Sequence, residues 1–312
     1  NGLYKNLTIV IVPPDGGGAG GMEYPSLFTV GASATSNSPK CLKLIEVETV
    51  HELAHQWFQS VIATNEAEEP WLDEGFADYS TTRAMNTLYN GAVSTCGNWN
   101  MSYLGLQRTT YLLAPQITMS GNAWDFGLEY SIATYAKPVV SLSTLERMVG
   151  EAAMVEFLQA YYQEFAFTHP TAKDVQLTMA ETLGQETASW FFDQLVYGDG
   201  TLDAFVAEFE FDHVTLKRKG DLCVPTSVRL TYLPDGLQQS LTEEVEWLCN
   251  ISTLRIEGAY KMVEIDPQNA IIIDQNLTNN SALYRRSLKE WLQLTTRVIH
   301  SLESFYWGGA PW

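Results

Sequence analysis

Apolar and polar positions divide the chain into three stretches. At the start, NLTIVIVPP (6–14) and SLFTVGAS (26–33) are short runs rich in β-branched and apolar residues, and each predicts a strand. Between them lies DGGGAGGMEYP (15–25), whose Gly-rich run at 16–21 is the one low-complexity stretch. From residue 43 to about 195 the pattern turns helical, as in LERMVGEAAMVEFLQAYYQEFAF and AKDVQLTMAETLG, with Gly-containing turns between segments. WFFDQLVYGDG (190–200) reads as the end of that block.

Beyond it come short β-type runs, DHVTLKRKG, TSVRLTYLPDG, STLRIEGAY and KMVEIDPQNAIIID, separated by turn residues. They predict a small β-sandwich over 201–275. In the last stretch, Leu288, Trp291, Leu292, Thr295, Val298, Ile299 and Leu302 fall on one helical stripe, so 276–312 is expected to be a C-terminal helical segment. A docking helix explains the stripe; Arg285, Arg286, Lys289 and the terminal aromatics would also suit a helix lying on a membrane surface. The expected organisation is therefore 1–200, 201–275 and 276–312.

Within the helical block, HELAHQWFQSVIATNEAEEPWLDEGFADY (51–79) concentrates chemistry. His51 and His55 stand at i and i+4, which puts both imidazoles on one helix face. Two nitrogens one turn apart can share a cation at about 2.0–2.1 Å each. Glu52, beside the pair, is poorly set to be a ligand but well set to take a proton from an activated water. A catalytic zinc needs a third protein ligand and an open position. Glu74, in a second expected helix opened by Pro70 and Asp73, is the candidate. A His pair on a helix face also occurs without any metal; the acidic helix downstream and the nearby Trp57, Phe58 and Trp71 favour a shielded zinc site. Asp78, one turn beyond Glu74, could accept from a ligating imidazole or face solvent.

This stretch resembles the M1 (gluzincin) family of zinc aminopeptidases, whose signature is HExxH, eighteen residues, then Glu. Residues 56–73 supply the eighteen, and the family's WLNEGFA reads WLDEGFA at 71–77. Asp73 for Asn is a conservative departure, expected not to touch the ligands. GGMEYP (20–25) resembles the exopeptidase motif GAMEN, and EYSIATYAKPVVSLSTLERMVG (129–150) resembles the segment with the transition-state tyrosine. The resemblance implies an α+β fold, with a thermolysin-like zincin catalytic domain followed by the small β-sandwich and C-terminal helix. It implies one Zn2+ on His51, His55 and Glu74, with Glu52 as base, Tyr135 as oxyanion donor and Tyr130 lining the site. Glu23 would anchor the substrate's terminal amine, while Gly20, Gly21 and Met22 pair with its backbone. Tyr24 stands where the family has Asn, which changes how the backbone would be held. Substrates would be peptides with a free N-terminus. Two rivals stay open: a related gluzincin endopeptidase or other hydrolase, and a silent scaffold that binds partners. The intact HExxH, Glu74 and Tyr135 speak against the scaffold.

Composition narrows the partners. With 18 basic and 37 acidic residues the net charge is −19, which disfavours nucleic acid and anionic membrane surfaces. The charge suits a cationic peptide terminus, although solubility alone explains it. The four cysteines, Cys41, Cys96, Cys223 and Cys249, have no CxxC spacing; a Cys223–Cys249 bridge and free thiols are both compatible with it. The sequons at Asn6 and Asn250 carry meaning only in a eukaryotic secretory context, so no compartment is set. No run of eighteen apolar residues suggests a membrane span. The opening NGLYKNLTIVIVPP reads as the middle of a longer polypeptide, and the resemblance implies a preceding β-rich N-terminal domain of the same protein.

Overall fold

A computed structural model describes residues 4–13, 15–31, 43–89, 92–96, 99–232, 240–284, 292, 294–296 and 298–299. The chain divides into two compact units, one holding Asn1–Gly198 and the other Asp199–Glu303.

In the first unit, β1 (Thr8–Val12) and β2 (Leu27–Gly31) pair in parallel, Thr8 opposite Leu27 through Val12 opposite Gly31. Phe28 and Val30 of β2 are fully buried. Met22 adds an antiparallel bridge to Thr29, using that residue's own N–H and C=O, so the Gly-rich segment runs along β2. α1 (Leu44–Ala54) packs on this sheet, with Glu48 accepting the Gly31 N–H at 2.8 Å. The chain then turns back on itself: Ser60 N–H reaches the His55 carbonyl, and Gln59 adopts φ 97°. That reversal turns Trp57 outward, 44% exposed, so it does not shield the site as its position in the sequence suggests.

A 3₁₀ turn, Pro70–Leu72, leads into α2 (Glu74–Tyr89). Trp71 and Phe76 are fully buried and lie 6.0 Å apart, ring centre to ring centre. Phe58 stacks on Phe76 at 5.3 Å, and Tyr161 and Phe192 complete this aromatic floor. β3 (Ala92–Cys96) and β4 (Trp99–Ser102) form an antiparallel pair inside the stretch whose sequence pattern reads as helical. α3 (Tyr103–Tyr111) starts on Ser102, whose hydroxyl accepts the Gly105 N–H at 2.9 Å. A π-helical turn, Ile132–Ala136, then runs into α4 (Lys137–Val149). Gly150, at φ 90°, divides α4 from α5 (Glu151–Phe165), because the break needs a backbone conformation other residues rarely adopt. α6 (Ala172–Leu183), opened by a Thr171–Asp174 capping box, and α7 (Gln185–Phe191) follow.

The second unit is built of antiparallel strands: β5 (Asp203–Phe209), β6 (His213–Lys219), β7 (Thr226–Tyr232), β8 (Leu241–Trp247), β9 (Thr253–Glu257), β10 (Met262–Ile265) and β11 (Ser281–Leu283). They form a three-stranded sheet in the order β5-β6-β9 and a four-stranded sheet in the order β11-β10-β7-β8. Arg218 lies 4.0 Å over the Trp247 ring and donates to the Trp247 and Leu248 carbonyls. Cys223 and Cys249 are joined by a disulfide, so the free-thiol alternative does not hold for this pair. The side chains of Cys41 and Cys96 lie outside the described residues.

The expected helical segment needs correction at its start. Residues 281–283 form β11, paired with β10 in the register Met262–Leu283, because the sheet edge offers backbone partners that outweigh a local helical pattern. Most of the stripe, including Leu288, Trp291 and Leu302, falls outside the described residues, although 294–296 are helical.

Candidate metal centre

α1 and α2 bring three donor atoms to one point. His55 caps α1, yet its N–H still bonds the His51 carbonyl, so the i, i+4 relation survives the helix end. His51 Nε2 lies 3.0 Å from His55 Nε2. Glu74 Oε2, on the first residue of α2, lies 3.0 Å from His51 Nε2 and 3.2 Å from His55 Nε2.

Both imidazoles are held from behind. His51 Nδ1 is 2.9 Å from Asp78 Oδ1, and His55 Nδ1 is 2.7 Å from Asp73 Oδ1. Asp73 therefore does bear on the ligands: the chain drops from the 3₁₀ turn into α2 with the Asp73 carboxylate under His55. Asp78 is buried, at 1% exposure, and not on a solvated surface. It also accepts from Tyr103 Oη at 2.8 Å and Gln107 Nε2 at 2.6 Å. Carboxylates at both Nδ1 atoms set the tautomer that presents Nε2 lone pairs to the centre.

Two imidazole lone pairs and a carboxylate oxygen converging at this range need a cation between them. Donors about 2.0–2.1 Å from a tetrahedral ion stand about 3.3 Å apart, so the observed 3.0–3.2 Å triangle fits zinc. Protons are the alternative occupant. Burial lowers the His51 pKa, but its bonds to Asp78 and Glu74 outweigh that and carry it up to about 10. His55, opposed by burial and favoured by Asp73 and Glu74, rises to about 11. Glu74 moves the other way: burial would raise it, but its hydrogen bonds to the two histidines hold it far below the usual carboxylate range.

Glu52 is 4% exposed and its Oε2 has no hydrogen-bond partner. Burial raises its pKa to about 7, only partly offset by the two histidines. Gly21, at φ 66°, lets the Gly-rich segment come close: a Cβ there would sit 3.5 Å from Glu52 Oε1. Gly20 abuts Gly31, where a Cβ would meet backbone at 2.7 Å, so no larger residue fits between them. Met22 and then Glu23 follow, and Glu23 comes within 4.8 Å of carboxylate oxygens of Glu66 and Asp73. Gln56 ties this segment to the end of α1, accepting from Ser26 N–H at 2.8 Å and donating to the Tyr24 carbonyl at 3.3 Å.

On the facing side, Tyr135 sits in the π-helical turn, 6.0 Å from the His51 ring. Burial and the adjacent Glu74 carboxylate push its hydroxyl well above the ordinary range, so it is a neutral donor. Tyr130 lies edge-on to it at 6.1 Å. Sequence reasoning missed Gln56, Glu66, Tyr103 and Gln107: the first two fall in the spacer 56–73, where the motif specifies no residue, and the other two lie outside every motif. The only available signal is Gln56, adjacent to His55.

Comparisons with known proteins identify the family. A family model described as the Peptidase family M1 domain covers residues 3–195. Aminopeptidase N of Streptomyces lividans is 26% identical over 60% of this chain and 22% of its own length. Aminopeptidase N of Canis lupus familiaris is 25% identical over 90% of this chain and 28% of its own length. Among solved structures, the M1 zinc metallopeptidase from Deinococcus radiodurans aligns with TM-score 0.45 and 22% identity, over 57% of this chain and 36% of that one. The chain thus spans about a quarter of the curated relatives' length, at 22% and 28%. Since the family match extends over well more than half of its 312 residues, this chain belongs to peptidase family M1.

Proposed function

We propose that the chain carries the catalytic unit of a zinc-dependent aminopeptidase, which hydrolyses the N-terminal peptide bond of peptides. The reading includes a thermolysin-like catalytic domain over 1–200, a small β-sandwich over 201–275 and a helical segment near the end. The observation that carries it is the Nε2–Nε2–Oε2 triangle of His51, His55 and Glu74 with the unpartnered Glu52 carboxylate beside it. When bound, zinc supplies Lewis-acid polarisation of the scissile carbonyl and lowers the pKa of the attacking water.

The protein's own groups do the rest. Asp73 and Asp78 hold the two imidazoles in the ligating tautomer. Glu52 takes the proton from the attacking water and hands it to the leaving amine; its pKa near 7 suits both transfers. The neutral Tyr135 hydroxyl donates to the oxygen on which negative charge develops. Tyr130 walls the site beside it. Glu23 receives the substrate's ammonium and so fixes the first peptide bond over the site, and the Gly20–Met22 segment, which runs along β2 with Gly21 turned at φ 66°, offers the substrate those backbone groups that Thr29 does not take.

The test uses paired peptides, free and N-acetylated, with the zinc-loaded protein. Cleavage of the free peptide only is expected, and Glu23→Ala should lower kcat/KM by about ten- to a hundredfold, the value of a charge-assisted hydrogen bond. Equal cleavage of both peptides would favour an endopeptidase instead.

A further inference from the structure

Lys137 opens α4 two residues after Tyr135, and it is fully buried. Burial and a place at the positive end of the α4 dipole both act against a cation there. Its bonds are what hold it. The ammonium donates to the Ile117 and Gly198 carbonyls, the latter at 2.7 Å. The backbone N–H of the same residue bonds the Ile132 carbonyl and so closes the π-helical turn Ile132–Ala136 in which Tyr135 sits. No step of the proposed chemistry uses this lysine.

The acceptors belong to a connected frame. Ile117 packs in one apolar cluster with Ile132 and Ala133, so the residue whose carbonyl receives the ammonium also supports the first half of the turn. Thr118 Oγ1 and the N–H groups of Met119 and Ser120 all donate to the Val196 carbonyl, two residues before Gly198. The loop after α3 is therefore tied to the end of a second π-helical turn, Phe192–Val196, and Lys137 is bonded to the segments on both sides of that tie. Across the Tyr135 turn, the Thr134 carbonyl and Pro138 lie against Gly75, the residue after Glu74. Tyr135 thus stands in a turn clamped between a ligand-bearing helix and a buried lysine. A π turn bonds less regularly than an α-helix and occurs mostly as a single turn at functional sites. Relaxing its bonding by one residue would rotate a side chain by about 100°, one step at about 3.6 residues per turn.

We infer that Lys137 is a positioning residue for the Tyr135 hydroxyl. It grips the carbonyls of Ile117 and Gly198 and closes the turn with its own N–H, which keeps the turn in the π register that sets Tyr135 beside His51. This rests on the aminopeptidase reading above, with Tyr135 as the oxyanion donor. Lys137 acts through the turn and not on the substrate. An ammonium carries three N–H donors, so one side chain can bind carbonyls of two separate segments, which an apolar chain of the same length cannot do. A displacement of about 1 Å at a catalytic group can cost about 10²-fold in rate. Because the Tyr135 bond is made to charge that develops in the transition state, the loss falls on kcat and not on KM.

The experiment follows hydrolysis of alanine p-nitroanilide by the zinc-loaded protein in a double-mutant cycle of Lys137→Met and Tyr135→Phe. Full zinc loading and a Tm above the assay temperature control for folding. Lys137→Met should lower kcat about 10–100-fold with KM within about twofold of the parent. In the Tyr135→Phe background the same change should cost less than about twofold, since no hydroxyl is left to place. An equal loss in both backgrounds would show a general loosening of the fold and overturn the proposal. A second readout needs no turnover: 3-fluorotyrosine is placed at position 135 alone, and its fluorine-19 NMR line should shift and broaden in Lys137→Met. An unchanged line would also overturn the proposal. If Lys137→Met does not fold, Lys137→Gln, which keeps N–H donors on a shorter chain, enters the same cycle under the same criteria. Full kcat in Tyr135→Phe would remove the oxyanion role and the proposal together. A parent protein that cleaves no free-amine substrate would remove the aminopeptidase reading instead, and the fluorine line would still decide whether Lys137 places Tyr135.

Discussion

His51 Nε2 and His55 Nε2 lie 3.0 Å apart, each with its Nδ1 against a buried aspartate. Without a metal this arrangement is stable only when protons fill it. With folded pKa values of about 10 and 11 against 6.5 in the unfolded chain, the two histidines add stability that is complete below about pH 6.5. That stability is lost as pH rises through 10 and 11. Chelator-treated protein should therefore lose Tm steadily between neutral pH and about pH 11, whereas the zinc-loaded form should hold its Tm over most of this window. At pH 7, zinc should displace about two protons per chain from the paired histidines, read from calorimetry in buffers of different ionisation enthalpy. A flat stability profile without metal would contradict the paired-histidine account.

Asp78 accepts three hydrogen bonds, from His51, Tyr103 and Gln107, and so links α3 to the metal ligands. Asp78→Ala should cost about 10–100-fold in zinc affinity. It also leaves the buried Tyr103 hydroxyl without its acceptor and Gln107 with only its bond to Tyr103, adding about 1–3 kcal/mol of destabilisation. Tyr103→Phe removes one donor and leaves His51 supported, so zinc affinity should fall only a few-fold, with about 1 kcal/mol lost. Competition with a coloured chelator measures the first effect and urea denaturation the second.

Gly75, directly after Glu74, is packed against α4. A Cβ there would lie 2.5 Å from Pro138 Cβ and 3.3 Å from the Thr134 carbonyl, neither of which is a flexible side-chain end. Gly75→Ala should cost about 1–3 kcal/mol from overpacking. Because the strain begins next to a ligand, zinc affinity should fall with Tm. A Tm loss without any change in zinc affinity would show that α2 absorbs the strain away from Glu74.

The ligands were legible because helix geometry converts sequence spacing into position. Four residues put His51 over His55, and Glu74 at the head of the next helix needs only that the helices pack. Asp73 was visible but misread, since nothing local says that a cap residue reaches back under His55. Glu66, Tyr103 and Gln107 were not legible: each meets the site through tertiary approach across 7, 25 or 29 residues to its partner, with no period or motif to mark it. In the β unit, β8 hid because LTEEVEW carries three glutamates on an edge strand, the polar dressing that protects such edges. β11, three residues long, is defined by its pairing with β10 and not by its own sequence.

Binding and chemistry separate at Glu52 and Tyr135. Glu52 belongs to neither the zinc triangle nor any hydrogen bond through Oε2, so Glu52→Gln should keep one zinc per chain while removing the proton acceptor. The amide is nearly the same shape, and zinc content and Tm should stay close to wild type while kcat falls by several orders of magnitude, beyond the about 10²–10⁴-fold usual for general-base loss. Tyr135→Phe removes a hydroxyl held neutral by burial and by Glu74. It should cost about 10²–10³-fold in kcat with KM little changed, because the bond is made to charge that develops only in the transition state. A rise in KM at constant kcat would instead mark Tyr135 as a ground-state binding residue. The oxyanion role would then need another donor, and Tyr130, whose ring centre lies 6.1 Å from that of Tyr135, is the next hydroxyl to substitute.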